Sequence, residues 1–336
     1  MNYIVSGSAG FIGFHTCLEL IKKNLHVVGI DNHNDYYNPK IKEDRVKLLK
    51  KYKNYNHHKV DIFDKKKIKA LFKKYNPKYV VNLAAQAGVR YSIENPLAYV
   101  NSNLVGFTNI LECCRHFKVK HLVYASTSSV YGANSKMPFS EHLSANHPLS
   151  FYAATKKSNE LMAHTYSHLY KLPTTGLRFF TVYGPWGRPD MALFKFTDAI
   201  LKDQKIDVYN NGNHIRDFTY IDDIVGGILS VINVPAKSNL HWNSDNPDPA
   251  TSTAPWRVYN VGNSKPVNLM DYIYALENSL KKKADINFLP LQLGDVPTTF
   301  SDVSNLKKNF NYKPKTTVQD GVENFVKWYK KYFKVK

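Results

Sequence analysis

The sequence predicts an α/β fold in which a doubly wound parallel sheet carries a smaller α/β lobe. Through residues 1–180, short apolar runs alternate with amphipathic stretches, which is the pattern of a parallel sheet with helices on both faces. A glycine-rich turn directly follows the first apolar run. The length of 336 residues exceeds one ordinary domain and suits a core domain with an attached lobe. We therefore predict a Rossmann-like domain over residues 1–180 and a substrate-binding lobe made mainly of residues 181–336.

The predicted elements alternate along the first region. Apolar runs predict strands over residues 3–6, 26–30, 57–60, 79–83, 121–125 and 174–179. Helical periodicity predicts helices over residues 11–23, 65–75, 103–117 and 151–170. A polar stretch over 235–255, rich in Asn, Ser, Asp and Pro, predicts a surface loop. One further strand, over 258–261, is expected to return to the edge of the sheet, so that the two lobes interleave in the sequence.

The composition narrows the class of protein. Apolar residues make up 43% of the chain, which suffices for a sizeable core. Cys17, Cys113 and Cys114 provide no disulfide framework, so we expect buried thiols in a reducing compartment and no metal site. The N-terminal residues lack the pattern of a signal peptide, and no run reaches the roughly 18 apolar residues of a membrane span. We expect a cytoplasmic protein without a membrane partner.

The formal net charge of +19 raises the question of nucleic-acid binding. The lysines are nevertheless spread over predicted helix faces and tails, and no basic stripe alternates with aromatic residues as it does in single-strand binders. We predict a solvated basic surface and no specific nucleic-acid partner.

Arginine is rare in this lysine-rich chain, and its positions are informative. Seven arginines occur among the 46 Lys and Arg residues. The planar arginine fork holds carboxylate or phosphate oxygens in pairs, which a lysine cannot copy. Five of the seven lie in motifs typical of substrate contacts, and together they indicate a polyanionic ligand: Arg90, Arg178, Arg188, Arg216 and Arg257. For any single one of them, a structural ion pair is the alternative.

The glycine-rich turn predicts a dinucleotide site. Gly7 permits the tight turn, Gly10 lets the backbone approach a pyrophosphate, and Gly13 allows the following helix to pack closely on the strand. The phosphates would lie at the helix N-terminus, where free N–H groups and the helix dipole favour negative charge. The predicted cofactor contacts in this segment are Gly7, Ala9, Gly10, Phe11, Ile12 and Gly13.

Asp31, at the end of the second predicted strand, indicates which dinucleotide binds. Its carboxylate can accept both ribose hydroxyl groups and would repel a 2′-phosphate, so NAD is favoured over NADP. The alternative is an ordinary loop aspartate that caps a helix. Asp61 follows the third strand and is a candidate contact of the adenine. The other predicted cofactor contacts are Asn32, Ile62, Leu83, Ala84, Ala85, Tyr152 and Lys156.

Tyr152 and Lys156 are the predicted catalytic pair. They lie one helical turn apart, so both side chains can share a helix face. The same Tyr-x-x-x-Lys spacing recurs elsewhere in this chain, and position therefore decides. Only Tyr152 begins the helix after the fifth predicted strand, whose end carries a Ser-Thr-Ser-Ser run that contains Thr127.

The oxidation of a sugar hydroxyl requires such a pair. A tyrosine with a pKa near 10 must lose its proton at neutral pH, a shift of about 3 units or roughly 4 kcal/mol. A lysine ammonium about 5 Å away supplies on the order of 3 kcal/mol at an effective dielectric of about 20, and the positive nicotinamide ring supplies the remainder. Tyr152 would then act as the base on the sugar hydroxyl, and Thr127 would hydrogen-bond the same oxygen. The alternative for Tyr152 is an ordinary buried aromatic residue.

Five further segments carry a resemblance to a known family: residues 31–37, 84–90, 183–191, 216–223 and 259–263. With them, the chain resembles the extended short-chain dehydrogenase/reductase superfamily, and within it the nucleotide-sugar epimerases and dehydratases. The similarity runs nearly end to end. It is greatest to the UDP-glucuronate 4-epimerases, because the stretch Tyr-Gly-Pro-Trp-Gly-Arg-Pro-Asp-Met over 183–191 is the most specific to the glucuronate-type group.

The resemblance implies a tightly held NAD that is reduced and reoxidised within one turnover. Hydride would leave C4 of a UDP-sugar, a 4-keto intermediate would turn over in the pocket, and hydride would return to the opposite face. The resemblance also implies a homodimer that pairs through the helices predicted over 103–117 and 151–170.

The resemblance further assigns roles in the substrate site. It places the sugar carboxylate near Thr181 and Arg188, and the diphosphate near Arg216. It places the nucleotide ribose near Asp295. Residues around Lys195 and Phe196 would border the nucleotide. The complete set of predicted substrate contacts is Arg90, Ser126, Ser128, Thr181, Arg188, Arg216, Arg257 and Asp295.

Two positions depart from the pattern that the resemblance implies. Ser6 replaces the threonine usual before the first glycine, and Asn82 replaces a usual histidine. Both keep hydrogen-bonding capacity. We therefore expect an altered hold on the cofactor rather than a loss of function.

Ser128 and Ser129 distinguish between related reactions. Dehydratases and decarboxylases that resemble this chain carry carboxylates at these places after the threonine, and epimerisation needs none. We therefore predict C4 epimerisation of a UDP-hexuronic acid, from UDP-glucuronate to UDP-galacturonate. The alternatives are a 4-epimerase of UDP-glucose or UDP-N-acetylhexosamine type sugars, and a non-catalytic NAD-binding sensor.

Overall fold

Seven parallel strands form the central sheet of the protein. The computed structural model describes residues 2–292 and 295–335. Its strands are β1 (Asn2–Ser6), β2 (His26–Asp31), β3 (Tyr55–Lys59), β4 (Tyr79–Asn82), β5 (His121–Thr127), β6 (Thr174–Phe179), β7 (Thr181–Tyr183), β8 (Ile206–Val208), β9 (Ile215–Arg216), β10 (Phe218–Tyr220), β11 (Trp256–Val261), β12 (Val267–Asn268), β13 (Ile286–Phe288) and β14 (Thr298–Thr299). The central sheet has the order β11-β6-β5-β4-β1-β2-β3. The doubly wound, Rossmann-like fold is thereby confirmed.

Helices lie between these strands and after the last of them. They are α1 (Phe11–Lys22), α2 (Lys40–Leu49), α3 (Lys65–Tyr75), α4 (Tyr91–Glu94), α5 (Pro96–Tyr99), α6 (Gly106–His116), α7 (Phe151–Tyr170), α8 (Ala192–Leu201), α9 (Ile221–Ile232), α10 (Leu269–Leu280), α11 (Ser304–Phe310) and α12 (Val318–Phe333). A π-helical segment, Val100–Val105, joins α5 to α6. The start of α7 is fixed by Ser150, whose hydroxyl accepts a hydrogen bond of 3.1 Å from the backbone N–H of Ala153.

The central strands bury both of their faces, which is why they read as continuous apolar runs. Successive side chains of a strand point to opposite sides of the sheet. On β1, Tyr3 and Val5 join one hydrophobic cluster, which includes apolar residues of α1 and α9. Ile4, between them, joins a second cluster on the other face, with apolar residues of α3, α6 and α7.

Smaller sheets and an aromatic core occupy the second half of the chain. Strand β8 pairs with β13, β7 pairs with β10, and β9 lies between β12 and β14. Helices α8, α9, α10 and α12 contribute to the core of this region, in which the rings of Phe218 and Tyr272 stack with centroids 3.9 Å apart. The same core includes Phe11 and Ile41, so packing crosses residue 180.

Most predicted elements agree with the structure to within two residues. The third strand was predicted to begin at residue 57, whereas β3 begins two residues earlier, at Tyr55. The predicted helix over 103–117 is shorter as an α-helix, because residues up to Val105 are π-helical. Strand β11 pairs in parallel with β6 at the sheet edge, as predicted. The segment 235–255 contains neither helix nor strand, which confirms the loop.

Two predictions from composition were also tested. Cys17, Cys113 and Cys114 are unpaired and buried, so the expectation of buried thiols is confirmed. Among the residues that the structure describes, none of the helices combines the length and the apolar character needed to cross a membrane.

Candidate active site

A cavity of about 950 Å³ opens at the carboxyl-terminal ends of the central strands. Its lining includes Gly7 after β1, Asp31 at the end of β2, Leu83 after β4 and Thr127 at the end of β5. Open parallel sheets bind ligands at this edge, next to the point where the strand order reverses. The volume lies near the upper end of the roughly 300–1,000 Å³ of known ligand pockets. The cavity therefore suits a large ligand.

The glycine turn forms one wall of the cavity and admits no side chains. A Cβ on Gly7 would lie 2.7 Å from the backbone nitrogen of Ala84, and a Cβ on Gly13 would lie 1.9 Å from the carbonyl oxygen of Gly7. Gly10 is the N-cap of α1 and, in the described chain, this cap makes no side-chain hydrogen bond. The first turn of α1 carries no acidic residue. This bare, positive helix end is suited to a pyrophosphate group.

Asp31 is held in place by the backbone around it. One carboxylate oxygen accepts a hydrogen bond of 3.0 Å from the N–H of Ala9, and the other accepts one of 2.9 Å from the N–H of His33. Asp31 is buried yet lines the cavity. Of the residues that the structure describes, the cavity lining does not include Ala9, whose N–H is engaged by Asp31. Ala9 thus positions the carboxylate through its N–H, and its contact with the cofactor stays a prediction.

The other predicted cofactor residues all line the cavity: Asn32, Asp61, Ile62, Leu83, Ala84, Ala85, Tyr152 and Lys156, together with Gly7, Gly10, Phe11, Ile12 and Gly13. The side chain of Asn32 donates to Asp61 at 2.9 Å, so these two polar groups are already paired. A glycine cradle, a fixed carboxylate and a polar pair along one wall fit the phosphates, ribose and adenine of a dinucleotide.

Several lining residues were missed by the sequence analysis. The buried Lys42 lies on α2, a helix that was not predicted, and its ammonium donates to the backbone carbonyl of Asn34 at 2.7 Å. Tyr36 lies in the segment 31–37, of which only the first two residues were assigned. Gln86 and Tyr209 also line the cavity. The spacing of Ile41, Val46 and Leu49 on α2 was the available signal for Lys42, although the dense charge of that segment obscures it.

Thr127, Tyr152 and Lys156 meet in the same cavity. Thr127 ends β5, and Tyr152 and Lys156 occupy the first turns of α7. Burial raises the pKa of Tyr152, and the Thr127 hydroxyl and the charge of Arg188 lower it by less. From the sequence we expected the charge of Lys156 to lower the pKa of Tyr152. Among the described residues, Lys156 is not one of the groups that shift this pKa. The tyrosine is therefore a protonated phenol in this arrangement, and a positive charge beside it would favour its ionisation.

Lys156 is almost fully buried, and burial lowers its pKa to about 8. The charge of Glu160, one helical turn further along α7, acts in the opposite direction. Glu160 accepts two hydrogen bonds of 2.8 Å each from Arg178, and Ser126 donates to it at 2.7 Å. The charge and the hydrogen bonds of Arg178 lower the pKa of Glu160 to about 2, against the effect of burial.

The role proposed for Arg178 is thereby corrected. The guanidinium is fully buried against Glu160 and, among the residues that the structure describes, Arg178 is not part of the cavity lining. Arg178 forms the structural ion pair that was the alternative, and its partner lies one turn beyond the predicted catalytic lysine.

Comparison with known proteins identifies the family. The sequence profile of the family described as GDP-mannose 4,6 dehydratase matches residues 4–325. The chain belongs to this family.

Relatives within this family resemble the chain over its whole length. The protein CapI of Staphylococcus aureus is 58% identical over 334 residues, which cover 99% of this chain and 100% of CapI. A probable UDP-glucuronate 4-epimerase of Rhizobium meliloti (strain 1021) is 48% identical, with 98% and 97% covered. The crystal structure of UDP-glucuronic acid 4-epimerase from Bacillus cereus, in complex with UDP-glucuronic acid and NAD, superposes with a TM-score of 0.87 at 33% identity and covers 99% and 100%.

In this member of the GDP-mannose 4,6 dehydratase family, six of the predicted substrate residues line the cavity: Arg90, Ser126, Ser128, Thr181, Arg188 and Asp295. Lys195 and Phe196 line it as well. Arg90 and Asp295 lie close together, with a guanidinium nitrogen 3.6 Å from a carboxylate oxygen. The guanidinium of Arg90 also lies 4.8 Å from the ring centroid of Tyr209. These three residues form a polar group on one side of the cavity.

The two remaining predicted arginine contacts have different outcomes. Of the described residues, those that line the cavity do not include Arg216 or Arg257. Arg257 is the second residue of β11, at the amino-terminal end of a parallel strand, whereas the cavity lies at the carboxyl-terminal ends. The prediction for Arg257 is therefore corrected. Arg216 donates to the carbonyl oxygen of Pro297 at 2.7 Å, and its contact with a diphosphate stays a prediction.

Proposed function

We propose that this chain catalyses C4 epimerisation of a UDP-hexuronic acid, interconverting UDP-glucuronate and UDP-galacturonate on a bound NAD. The observation that carries the proposal is the meeting of two groups in one cavity. Thr127, Tyr152 and Lys156 are suited to the oxidation of a sugar hydroxyl, and Thr181 and Arg188 are suited to a carboxylate. The full-length similarity to UDP-glucuronate 4-epimerases supports the same substrate.

The residues of the glycine turn and of the adjacent strand ends would hold NAD. The pyrophosphate would rest on the N-terminus of α1, and Asp31 would accept hydrogen bonds from the adenosine ribose. NAD, when bound, supplies the reversible oxidation of the sugar at C4. Lys42, buried near Asp31, adds a positive charge to this wall of the cavity.

Tyr152 would take the proton of the C4 hydroxyl and later return it. Thr127 would hydrogen-bond the same oxygen, and the ammonium of Lys156 would stabilise the phenolate. Ser128 and Ser129 follow Thr127, where a carboxylate would be required to remove the C5 proton. The sugar would therefore keep its C5 configuration while C4 inverts.

The carboxylate of the sugar must survive the reaction. A 4-keto uronic acid is a β-keto acid, which loses carbon dioxide when its carboxylate is free to align with the ketone. Thr181 and Arg188 would hold the carboxylate away from that orientation. Proton NMR of the purified protein with UDP-glucuronate and no added reductant tests both points, because it reports the C4 configuration and any pentose product together. A pentose product from the native protein would contradict this part of the proposal.

A neutral hexose is the alternative substrate. Arg188→Ala separates the two: a large loss for the uronate with little change for UDP-glucose supports the carboxylate role. An equal loss for both sugars would contradict the carboxylate role of Arg188.

We further propose that the protein is a cytoplasmic homodimer and supplies an activated sugar for polysaccharide biosynthesis. Leu161 and Leu169 are 60% and 59% exposed on one face of α7, and Val105 next to α6 is 39% exposed. Such apolar positions favour a helical interface. Light scattering would detect the dimer, and Leu161→Glu together with Leu169→Glu should yield monomers. The buried, unpaired cysteines fit a reducing compartment.

A further inference from the structure

The guanidinium of Arg188 is already occupied by a carboxylate of its own chain. Its Nε donates to one oxygen of Asp190 at 3.0 Å, and a terminal nitrogen donates to the other oxygen at 2.5 Å. The same terminal nitrogen also donates to the backbone carbonyl of Ala87 at 3.4 Å. This is the paired, planar geometry by which arginine recognises carboxylates.

The pair lines the cavity and is partly buried. The side chains of Arg188 and Asp190 are 22% and 23% exposed, and both residues line the cavity. Burial alone would raise the pKa of Asp190, yet the charge and hydrogen bonds of Arg188 lower it, so Asp190 is ionised at neutral pH. Tyr36 donates a further hydrogen bond of 3.3 Å to Asp190.

We propose that Asp190 is a specificity-determining residue, which occupies the carboxylate-binding edge of Arg188 until an anionic sugar takes its place. The inference rests on the proposed function, because it assigns the incoming group as a uronate. A uronate carboxylate restores the ion pair that it breaks, and Tyr36 remains as a donor to the released Asp190. A neutral hydroxymethyl group cannot restore it, and displacing Asp190 would then leave the partly buried guanidinium of Arg188 unpaired, which is costly. A neutral sugar therefore leaves the pair closed.

The test measures binding without turnover. In NAD-loaded protein that carries Tyr152→Phe, the dissociation constants of UDP-glucuronate and UDP-glucose are determined by titration calorimetry, with and without Asp190→Asn. Removal of the internal competitor should tighten the binding of UDP-glucuronate by roughly 10- to 150-fold, the range expected for one hydrogen bond to a charged group. The affinity for UDP-glucose, which shares the nucleotide and the diphosphate, should stay the same.

Two controls isolate the exchange of partners. Asp203→Asn removes one negative charge from a side chain that is 81% exposed and paired with Lys282, and it should alter neither affinity. In an Arg188→Ala background, Asp190→Asn should no longer tighten UDP-glucuronate, because the contested guanidinium is gone. Asp190→Ser serves as a second variant if Asp190→Asn does not fold, as judged by thermal melting.

The outcomes separate this inference from the function on which it rests. Weaker uronate binding in Asp190→Asn would mean that Asp190 only positions Arg188, and equal tightening of both sugars would mean a general charge effect. Either result overturns the inference and leaves the epimerase intact. A parent protein that does not bind UDP-glucuronate, or whose binding is unaffected by Arg188→Ala, overturns both.

Discussion

The hydroxyl of Ser6 donates a hydrogen bond of 2.6 Å to the side-chain oxygen of Asn82, and both side chains are buried. The two residues face each other in the register of β1 and β4, just before Gly7 and Leu83 of the cavity wall. They are also the two positions at which the sequence departs from the pattern of the family that it resembles. The departures therefore form one hydrogen-bonded unit beneath the cofactor site.

The loss of stability from removing both side chains of this unit should be smaller than the sum of the losses from removing each one alone. Ser6→Ala or Asn82→Ala leaves a buried polar partner unsatisfied, and each should lower the free energy of unfolding by about 1–3 kcal/mol. The double variant should be less damaging than the sum of the single variants, with a coupling of about 1 kcal/mol. Urea unfolding of the four proteins gives the cycle. Strict additivity would show that the bond does not contribute to stability.

Gly13 lies where helix α1 approaches the glycine turn closely, and its replacement by alanine is a test of that contact. In Gly13→Ala, the new methyl group would lie 1.9 Å from the carbonyl oxygen of Gly7, so the turn and α1 must separate. We expect a loss of about 1–3 kcal/mol in stability and a large loss of NAD affinity, measured by urea unfolding and calorimetry.

Gly226→Ala is the matched control. This glycine also lies within a helix, α9, and a Cβ there would meet none of the described atoms within 4 Å. Alanine should stabilise the protein by about 0.5–1 kcal/mol, because it restricts the unfolded chain and favours the helix. Equal effects of the two substitutions would contradict the role of Gly13.

The sequence predicted those parts of the site that depend on local order along the chain. Helix α7 begins and ends at the predicted residues, Ser150 caps its start, and this places Tyr152 and Lys156. The strand ends then bring Asp31 and Thr127 to the same edge.

The partners of the arginines could not be predicted in the same way. Arg178 bonds Glu160 and Arg45 bonds the carbonyl oxygens of Ala9 and Trp186, and such contacts arise from packing between distant segments. The paired strands β9, β12 and β14 are two residues long, too short to show any periodicity. The second lobe therefore escaped prediction in detail.

Tyr152→Phe should strongly lower turnover and spare cofactor binding. The variant keeps the ring, whose centroid lies 6.0 Å from that of Tyr99, and removes the hydroxyl that would exchange the proton. Loss of a general base should lower kcat by on the order of 10²–10⁴-fold. Tyr170→Phe, at the exposed end of the same helix, should keep full activity. A fully active Tyr152→Phe protein would falsify the catalytic assignment.

The buried pair of Glu160 and Arg178 should set the pH range of the reaction through Lys156. Burial lowers the pKa of Lys156 to about 8, and the charge of Glu160 raises it. If the ammonium is the active form, turnover falls as the pH rises through about 8. Glu160→Gln alone leaves Arg178 buried and unpaired and should destabilise the protein by about 3–5 kcal/mol.

The double variant Glu160→Gln with Arg178→Met separates the two effects. It removes both charges and leaves packing in place, so most of the stability should return. The pKa of Lys156 should then fall below that of the parent, and the alkaline limb of the kcat profile should move to lower pH. Glu19→Gln, at an exposed ion pair on α1, is the matched control and should leave the limb unchanged. A double variant with restored stability and an unshifted limb would mean that the pair supports the fold alone, whereas a shifted limb assigns Glu160 as the residue that keeps Lys156 charged.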